Sequence, residues 1–249
     1  VSANPSGQTV DPEEIEKFAA LAEEWWDPDG KFRPLHRLNP TRLRYILDQI
    51  ATHFGRDPSG DQPLASLAVL DIGCGGGLLC EPLTRLGAQV TGIDATQRSI
   101  AIATGHARES GLKIDYRAAT AEDLAAKGES YDVVISMEVV EHVADVDEFL
   151  AACTSLVNAN GVLLLSTLNR TPKSWLFAIA AAEYVLRWLP RGTHDWRRFL
   201  RPSELAAGLR KQGMELEDLT GVAYNPLDDS WRLAPRDLDV NYMMTALKA

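Results

Sequence analysis

The stretch Val69-Leu70-Asp71-Ile72-Gly73-Cys74-Gly75-Gly76-Gly77, answered by Thr91-Gly92-Ile93-Asp94, decides the fold. It reads as a buried apolar strand, a glycine-rich turn, a helix, a second strand and an acid at that strand's end. This is the first half of a nucleotide-binding α/β unit. Glycine lets the backbone turn sharply and lets a ligand approach main-chain atoms. A carboxylate at Asp94 stands where both hydroxyls of a ribose can donate to it. Spacing narrows the choice of nucleotide. The dinucleotide pattern G-x-G-x-x-G would need its third glycine at Leu78, counting from Gly73, or at Cys80, counting from Gly75. A phosphate loop would need a lysine after its last glycine, and none follows.

What remains is D-x-G-x-G-x-G over Asp71 to Gly77, which resembles motif I of the class I S-adenosylmethionine-dependent methyltransferases. Working outward, short β-branched runs alternate with helical patterns. Strands are expected at 68–72, 89–93, 114–116, 131–137, 162–167, 214–224 and 242–247. Helices are expected at 78–86, 99–109 and 146–157, and from Pro202 onward. The prediction is a class I methyltransferase Rossmann-like α/β fold. Its sheet is mostly parallel and seven-stranded, with helices on both faces. Residues 1–66 form an N-terminal helical segment, with one helix opening at Asp11-Pro12 and a second near Asn39-Pro40. The methyltransferase domain spans 67–249 and carries a lid-like insertion at 171–199.

The 249 residues suffice for one large α/β domain. A net charge of −10 and a pI of about 5.0 argue against a nucleic-acid partner. The three cysteines form no C-x-x-C pair and read as reduced thiols of a cytoplasmic protein. No apolar stretch reaches the ~20 residues of a membrane span.

In such a sheet, ligands lie beyond the carboxyl ends of the strands. That collects Gly73, Gly75, Asp94, the segment Thr120-Ala121-Glu122-Asp123, and Met137. Ala121 and Glu122 flank the adenine or simply open a helix. Met137 packs on the adenine or is plain core. Arg42 is a candidate cation for the cofactor's carboxylate, or a surface residue. Glu138, Glu141 and His142 follow the fourth strand at i, i+3 and i+4, one face if the segment turns helical. Three readings stay open for them: a divalent-metal set, a general base at Glu141 or His142, or capping and core hydrogen bonding. His36 and His194 are secondary candidates, and Cys74 reads as a small residue that fills space.

Three further segments are more specific. They are Trp25-Trp26-Asp27-Pro28-Asp29-Gly30 through Asn39-Pro40-Thr41-Arg42, then Ser136-Met137-Glu138-Val139-Val140-Glu141-His142-Val143, and then Ser166-Thr167-Leu168-Asn169-Arg170. Together they resemble the ubiquinone-biosynthesis O-methyltransferases, from about Asp11 to Met243. The resemblance implies S-adenosylmethionine as cofactor, with contacts at Arg42, Gly73, Asp94 and Met137. It implies 2-polyprenyl-6-hydroxyphenol and 3-demethylubiquinol as acceptors, and Mg²⁺ or another divalent cation at Glu138, Glu141 and His142.

Residues 173–191 are apolar around most of a helical circumference, with Glu183, Arg187 and Arg191 on one narrow stripe. This pattern suits a lid that touches anionic lipid on the inner face of a bacterial inner membrane and admits a polyprenyl tail. The alternatives are a lid buried on the domain or a dimer contact. A ubiquinone biosynthetic complex is a further possible partner. Two competing functions remain: a methyltransferase of another small phenol or of a macromolecule, and a non-catalytic cofactor-binding subunit.

Overall fold

The computed structural model describes residues 9, 11, 14–16, 22–176 and 195–248. The apolar stripe at 177–191, His194, and most of the helix expected from Asp11 lie outside the described residues.

Helix α1 (Arg33–His53) precedes the sheet. Strand β1 (Ala68–Ile72), α2 (Cys80–Arg85), β2 (Gln89–Asp94), α3 (Gln97–Glu109), β3 (Asp115–Ala118) and α4 (Ala121–Ala126) follow. Next come β4 (Tyr131–Met137), α5 (Val146–Ser155), β5 (Val157–Leu168), α6 (Pro202–Lys211), β6 (Met214–Asn225), β7 (Ser230–Ala234) and β8 (Asn241–Lys248). Among the described residues the strands form one eight-stranded sheet in the order β3-β2-β1-β4-β5-β8-β6-β7. Strands β1 to β5 pair in parallel, while β8 runs antiparallel between β5 and β6.

The sheet gains one strand over the expected seven. Ser230–Ala234 pairs antiparallel with the outer half of β6 as an edge hairpin. Helix α1 also starts earlier than expected, because Pro34 rather than Pro40 fills the first helical turn, leaving Pro40 inside the helix. Its buried Leu38, Arg42, Tyr45, Ile46 and Ile50 recur at helical spacing and face the sheet.

Alternation along the strands divides the core between the two faces of the sheet. Leu70, Val134, Leu163 and Leu165 pack on one side with Leu124, Phe149 and Leu150. Val69, Val133, Ile135 and Leu164 pack on the other with Ile46, Ile50, Leu83 and Ile100. The chain goes from β1 outward to β2 and β3, then returns to β4 on the other side of β1. The crevice of a doubly wound sheet opens at that reversal, beyond the carboxyl ends of β1 and β4.

Candidate functional site

A cavity of about 700 Å³ opens at this crevice. Its floor is the turn after β1. Gly73 and Gly75 have φ of 73° and 52°, in the left-handed region that favours glycine. The amides of Gly73 and Cys74 both donate to the Ile93 carbonyl, at 2.8 and 2.9 Å, which fixes the turn to β2. A side chain at Gly73 would collide with Val139, and one at Gly75 or Gly76 with the indole of Trp25. Trp25 therefore covers the glycine turn. It stacks on Phe32 with ring centroids 3.9 Å apart, while Trp26 donates to the Gly76 carbonyl at 2.9 Å.

Asp94 ends β2 in the cavity wall. Its Oδ1 accepts from the Thr96 amide (2.8 Å) and hydroxyl (2.6 Å), and its Oδ2 accepts from the Gly75 amide (3.0 Å). A carboxylate offers about four acceptor sites, so capacity is left for a hydroxyl donor. Burial raises its pKa, against the lowering bonds from Thr96 and Gly75. The glycine cradle and this buried acceptor fit the ribose and main-chain contacts of S-adenosylmethionine.

Asp71 also lines the cavity, completely buried. Burial pushes its carboxyl up to about 7, although the Cys80 thiol donates to it at 3.2 Å. Sequence reasoning quoted Asp71 as part of the motif without placing it in the site. Ala121, Glu122 and Met137 line the cavity. Asp123 does not join them: it forms a reciprocal capping box with Thr120 at the start of α4.

At the other side, Arg42 projects from α1 into the wall, buried, with its Nη2 2.9 Å from Glu138 Oε1. Glu138 follows β4 with φ of 58°, an uncommon value for a residue bearing a side chain. Its carboxylate also accepts from the Ser166 hydroxyl at 2.8 Å. Only Val140–His142 forms a short 3-10 turn, so the expected single helical face does not form. Glu138 and His142 line the cavity, whereas Glu141 lies behind its wall. Glu141 accepts from the Thr167 hydroxyl at 2.8 Å, and its Oε1 has no hydrogen-bond partner among the described residues. Burial, reinforced by the charge of Glu138, holds its pKa well above the ordinary carboxylate range. His142 Nδ1 meets Glu14 at 2.9 Å.

Glu138 and Glu141 lie close enough to interact, but their other contacts diverge: Glu138 turns to Arg42 and Ser166, Glu141 to Thr167, and His142 to Glu14. Among the described residues, no group of three His, Cys, Asp or Glu side chains is placed to hold a metal ion. This arrangement does not fit the expected divalent set. Gly75 is likewise outside the cavity wall, its amide committed to Asp94. His36 is structural in its contacts, with Nε2 2.9 Å from the Trp25 carbonyl.

Local sequence pattern missed the N-terminal strap. Thr9 donates its hydroxyl to Glu122 at 2.6 Å, and its carbonyl accepts from the Ala144 amide. Asp11 pairs with Arg198 at 2.8 Å. Thr9, Asp11, Glu14 and Ile15 all line the cavity. No periodicity announces contacts that join residues more than 100 positions apart.

A family model described as a methyltransferase domain matches residues 70–165, from β1 to β5. The ubiquinone biosynthesis O-methyltransferase of Sinorhizobium medicae is 57% identical over 238 residues, covering 96% of both chains. That of Brucella anthropi is 58% identical over 238 residues, again 96% of both. Among solved structures, magnesium protoporphyrin IX methyltransferase from Synechocystis PCC 6803 with bound SAH superposes with a TM-score of 0.66 at 19% identity. It covers 94% of this chain and 98% of that one. A possible histamine N-methyltransferase from Thermotoga maritima gives 0.64 at 16% identity, covering 95% and 100%. These two show the fold, and the near full-length relatives show the family: the chain belongs to the ubiquinone biosynthesis O-methyltransferases.

Proposed function

We propose that the chain transfers the methyl group of S-adenosylmethionine to a phenolic oxygen of polyprenylated intermediates in ubiquinone biosynthesis. It acts at both O-methylations, on 2-polyprenyl-6-hydroxyphenol and on 3-demethylubiquinol. The observation that carries this reading is one continuous cavity reaching from Gly73 and Asp94 to His142 and an apolar far wall. The cofactor supplies an electrophilic methyl on a sulfonium, displaced in line. Asp94 accepts a ribose hydroxyl, and Ala121, Glu122 and Met137 flank the adenine. Arg42 and the Gly73 main chain face the amino-acid end of the cofactor.

A free phenol has a pKa near ~10 and must lose its proton to become the nucleophile. His142 takes it, with Glu14 holding the ring through Nδ1. Glu141 stands behind this turn and positions it through Thr167 rather than reaching the acceptor. No step is routed through a metal, because Glu138, Glu141 and His142 do not converge.

The test is methyl transfer from labelled S-adenosylmethionine to a short-chain demethylubiquinol. Transfer is expected, at a rate unchanged by a chelator. Tight cofactor binding without transfer would leave the non-catalytic subunit instead, and loss of activity with the chelator would restore the metal.

Support for a membrane contact through 171–199 comes from its described edge. Trp175 and Leu176 are 50% and 53% exposed, and they lead into the basic, aromatic run beyond. The run itself carries Glu183, Arg187, Pro190 and Arg191 and is shorter than the ~20 apolar residues of a span, so the contact is peripheral, on the inner face of the bacterial inner membrane. The protein should sediment with anionic liposomes, and reversing the charges of Arg187 and Arg191 should weaken that. Equal, low sedimentation of both proteins would sink the idea.

A further inference from the structure

The cavity has a second arm that the cofactor contacts do not use. It runs between the first turns of α1 and the β6–β7 hairpin. Leu35 and Leu38 line it from the helix, and Val222, Ala223, Pro226 and Trp231 from the hairpin. The two walls are tied together. The Thr41 hydroxyl donates to the Trp231 carbonyl at 3.0 Å, and Arg33 pairs with Asp229 at 2.7 Å. The Tyr224 hydroxyl donates to Asp229 at 2.9 Å, and its ring lies 5.0 Å from that of Trp231. A sheet needing only to close its edge would bury these apolar side chains against each other. Here Leu38 and Val222 are buried, while Leu35, Ala223, Pro226 and Trp231 keep accessible surface, and all six line one cavity with the glycine floor. Beyond Pro226, at the hairpin tip, Leu227 is 94% exposed and extends the apolar track outward.

We propose that this arm holds the first isoprene units of the acceptor's tail, which leaves the protein between α1 and the hairpin tip at Leu227. The inference rests on the activity proposed above and adds the path of the tail. The occupant follows from the chemistry of the walls. Six of the side chains that line it are carbon-rich, and five of those carry no hydrogen-bonding group; of the polar ones, Asn39 donates to the Leu78 carbonyl, Tyr224 donates to Asp229, and Arg232 stands beside Trp231. A peptide or a sugar would lose hydrogen bonds to water along these carbon-rich side chains without regaining them. An isoprenoid loses none, and gains by taking its methylenes and methyls out of water. The arm joins the region of His142, so an aromatic ring presented there places its tail at the mouth of the arm.

The experiment compares two acceptors with the same ring, one farnesylated and one bearing a methyl group in place of the tail. The wild-type protein should prefer the farnesylated acceptor in kcat/KM. Ala223→Trp, which fills the arm from a half-buried position, should reduce that preference at least tenfold, chiefly through KM. An unchanged preference, in a variant that binds S-adenosylhomocysteine as the wild type does, would overturn the proposal. A second measurement needs no variant. A farnesylated acceptor carrying a diazirine on the tail should crosslink to residues 33–38 and 222–231 of the wild-type protein. Crosslinks confined to 171–199 would overturn the path. If the wild type methylates neither acceptor, the activity reading fails, and the crosslink alone decides whether the arm takes an isoprenoid.

Discussion

Asp94 and Asp71 stand one strand apart, yet their carboxyls serve different ends. Asp94 is stitched into the floor by donors from Thr96 and Gly75. Asp71 has the Cys80 thiol as its donor, and burial raises it to about 7. An acid raised in the folded state keeps a proton that the unfolded chain has lost. Stability therefore falls as pH rises from the ordinary aspartate value, ~3.9, to about 7, and levels off above it. One pH unit of displacement is worth about 1.4 kcal/mol, so about 2 kcal/mol should be lost between pH 5 and 7 through this group. Denaturant unfolding of the cofactor-free protein at pH 5 and pH 8 should show a smaller drop for Asp71→Asn than for the wild type. Equal drops would mean that Asp71 ionises freely. At this scale the sequence was legible where a residue's place depends on its strand position, as for Asp94 and Met137, which both line the cavity. It was not legible for Glu141, because the one-face argument assumed a helix that the left-handed Glu138 interrupts.

Strands β1, β2, β4 and β5 were readable because buried parallel strands are continuous apolar runs. Strand β7 was not, because Ser230-Trp231-Arg232-Leu233-Ala234 is a short edge strand between Asp229 and Pro235. The Trp25-Trp26 pair was legible as a family signature, but its work is visible only in three dimensions. The indole of Trp25 occupies the space that side chains at Gly75 and Gly76 would need, so the glycines and the tryptophan specify one another. Trp25→Ala should uncover the turn and lose the Phe32 stack. The expected cost is about 2 kcal/mol of stability, part of what a large-to-small substitution removes when the site is half-buried. Calorimetry should find S-adenosylhomocysteine binding weakened about tenfold, with Trp25→Phe recovering most of it. Unchanged binding by Trp25→Ala would make the tryptophan a bystander.

For the molecule as a whole, residues 1–66 are expected to be inseparable from the rest. Leu38, Tyr45, Ile46 and Ile50 of α1 are buried, packed in one cluster with Val69, Val133 and Ile135 of the sheet. At about 1.5–3 kcal/mol for each buried side chain, their removal would cancel much of the ~5–15 kcal/mol that holds a domain together. A chain of residues 67–249 should therefore show no cooperative thermal transition by circular dichroism, and a sharp one would prove the segment dispensable. The same layout bears on inheritance. Most of the proposed cofactor contacts lie in the block 70–165 that the methyltransferase-domain family shares, whereas α1 and the β6–β7 hairpin come from the two flanks. Gene segments on either side of that block can diverge or be exchanged while the cofactor floor stays as it is. Lineages sharing this centre can thereby come to methylate unrelated molecules by rewriting their ends alone.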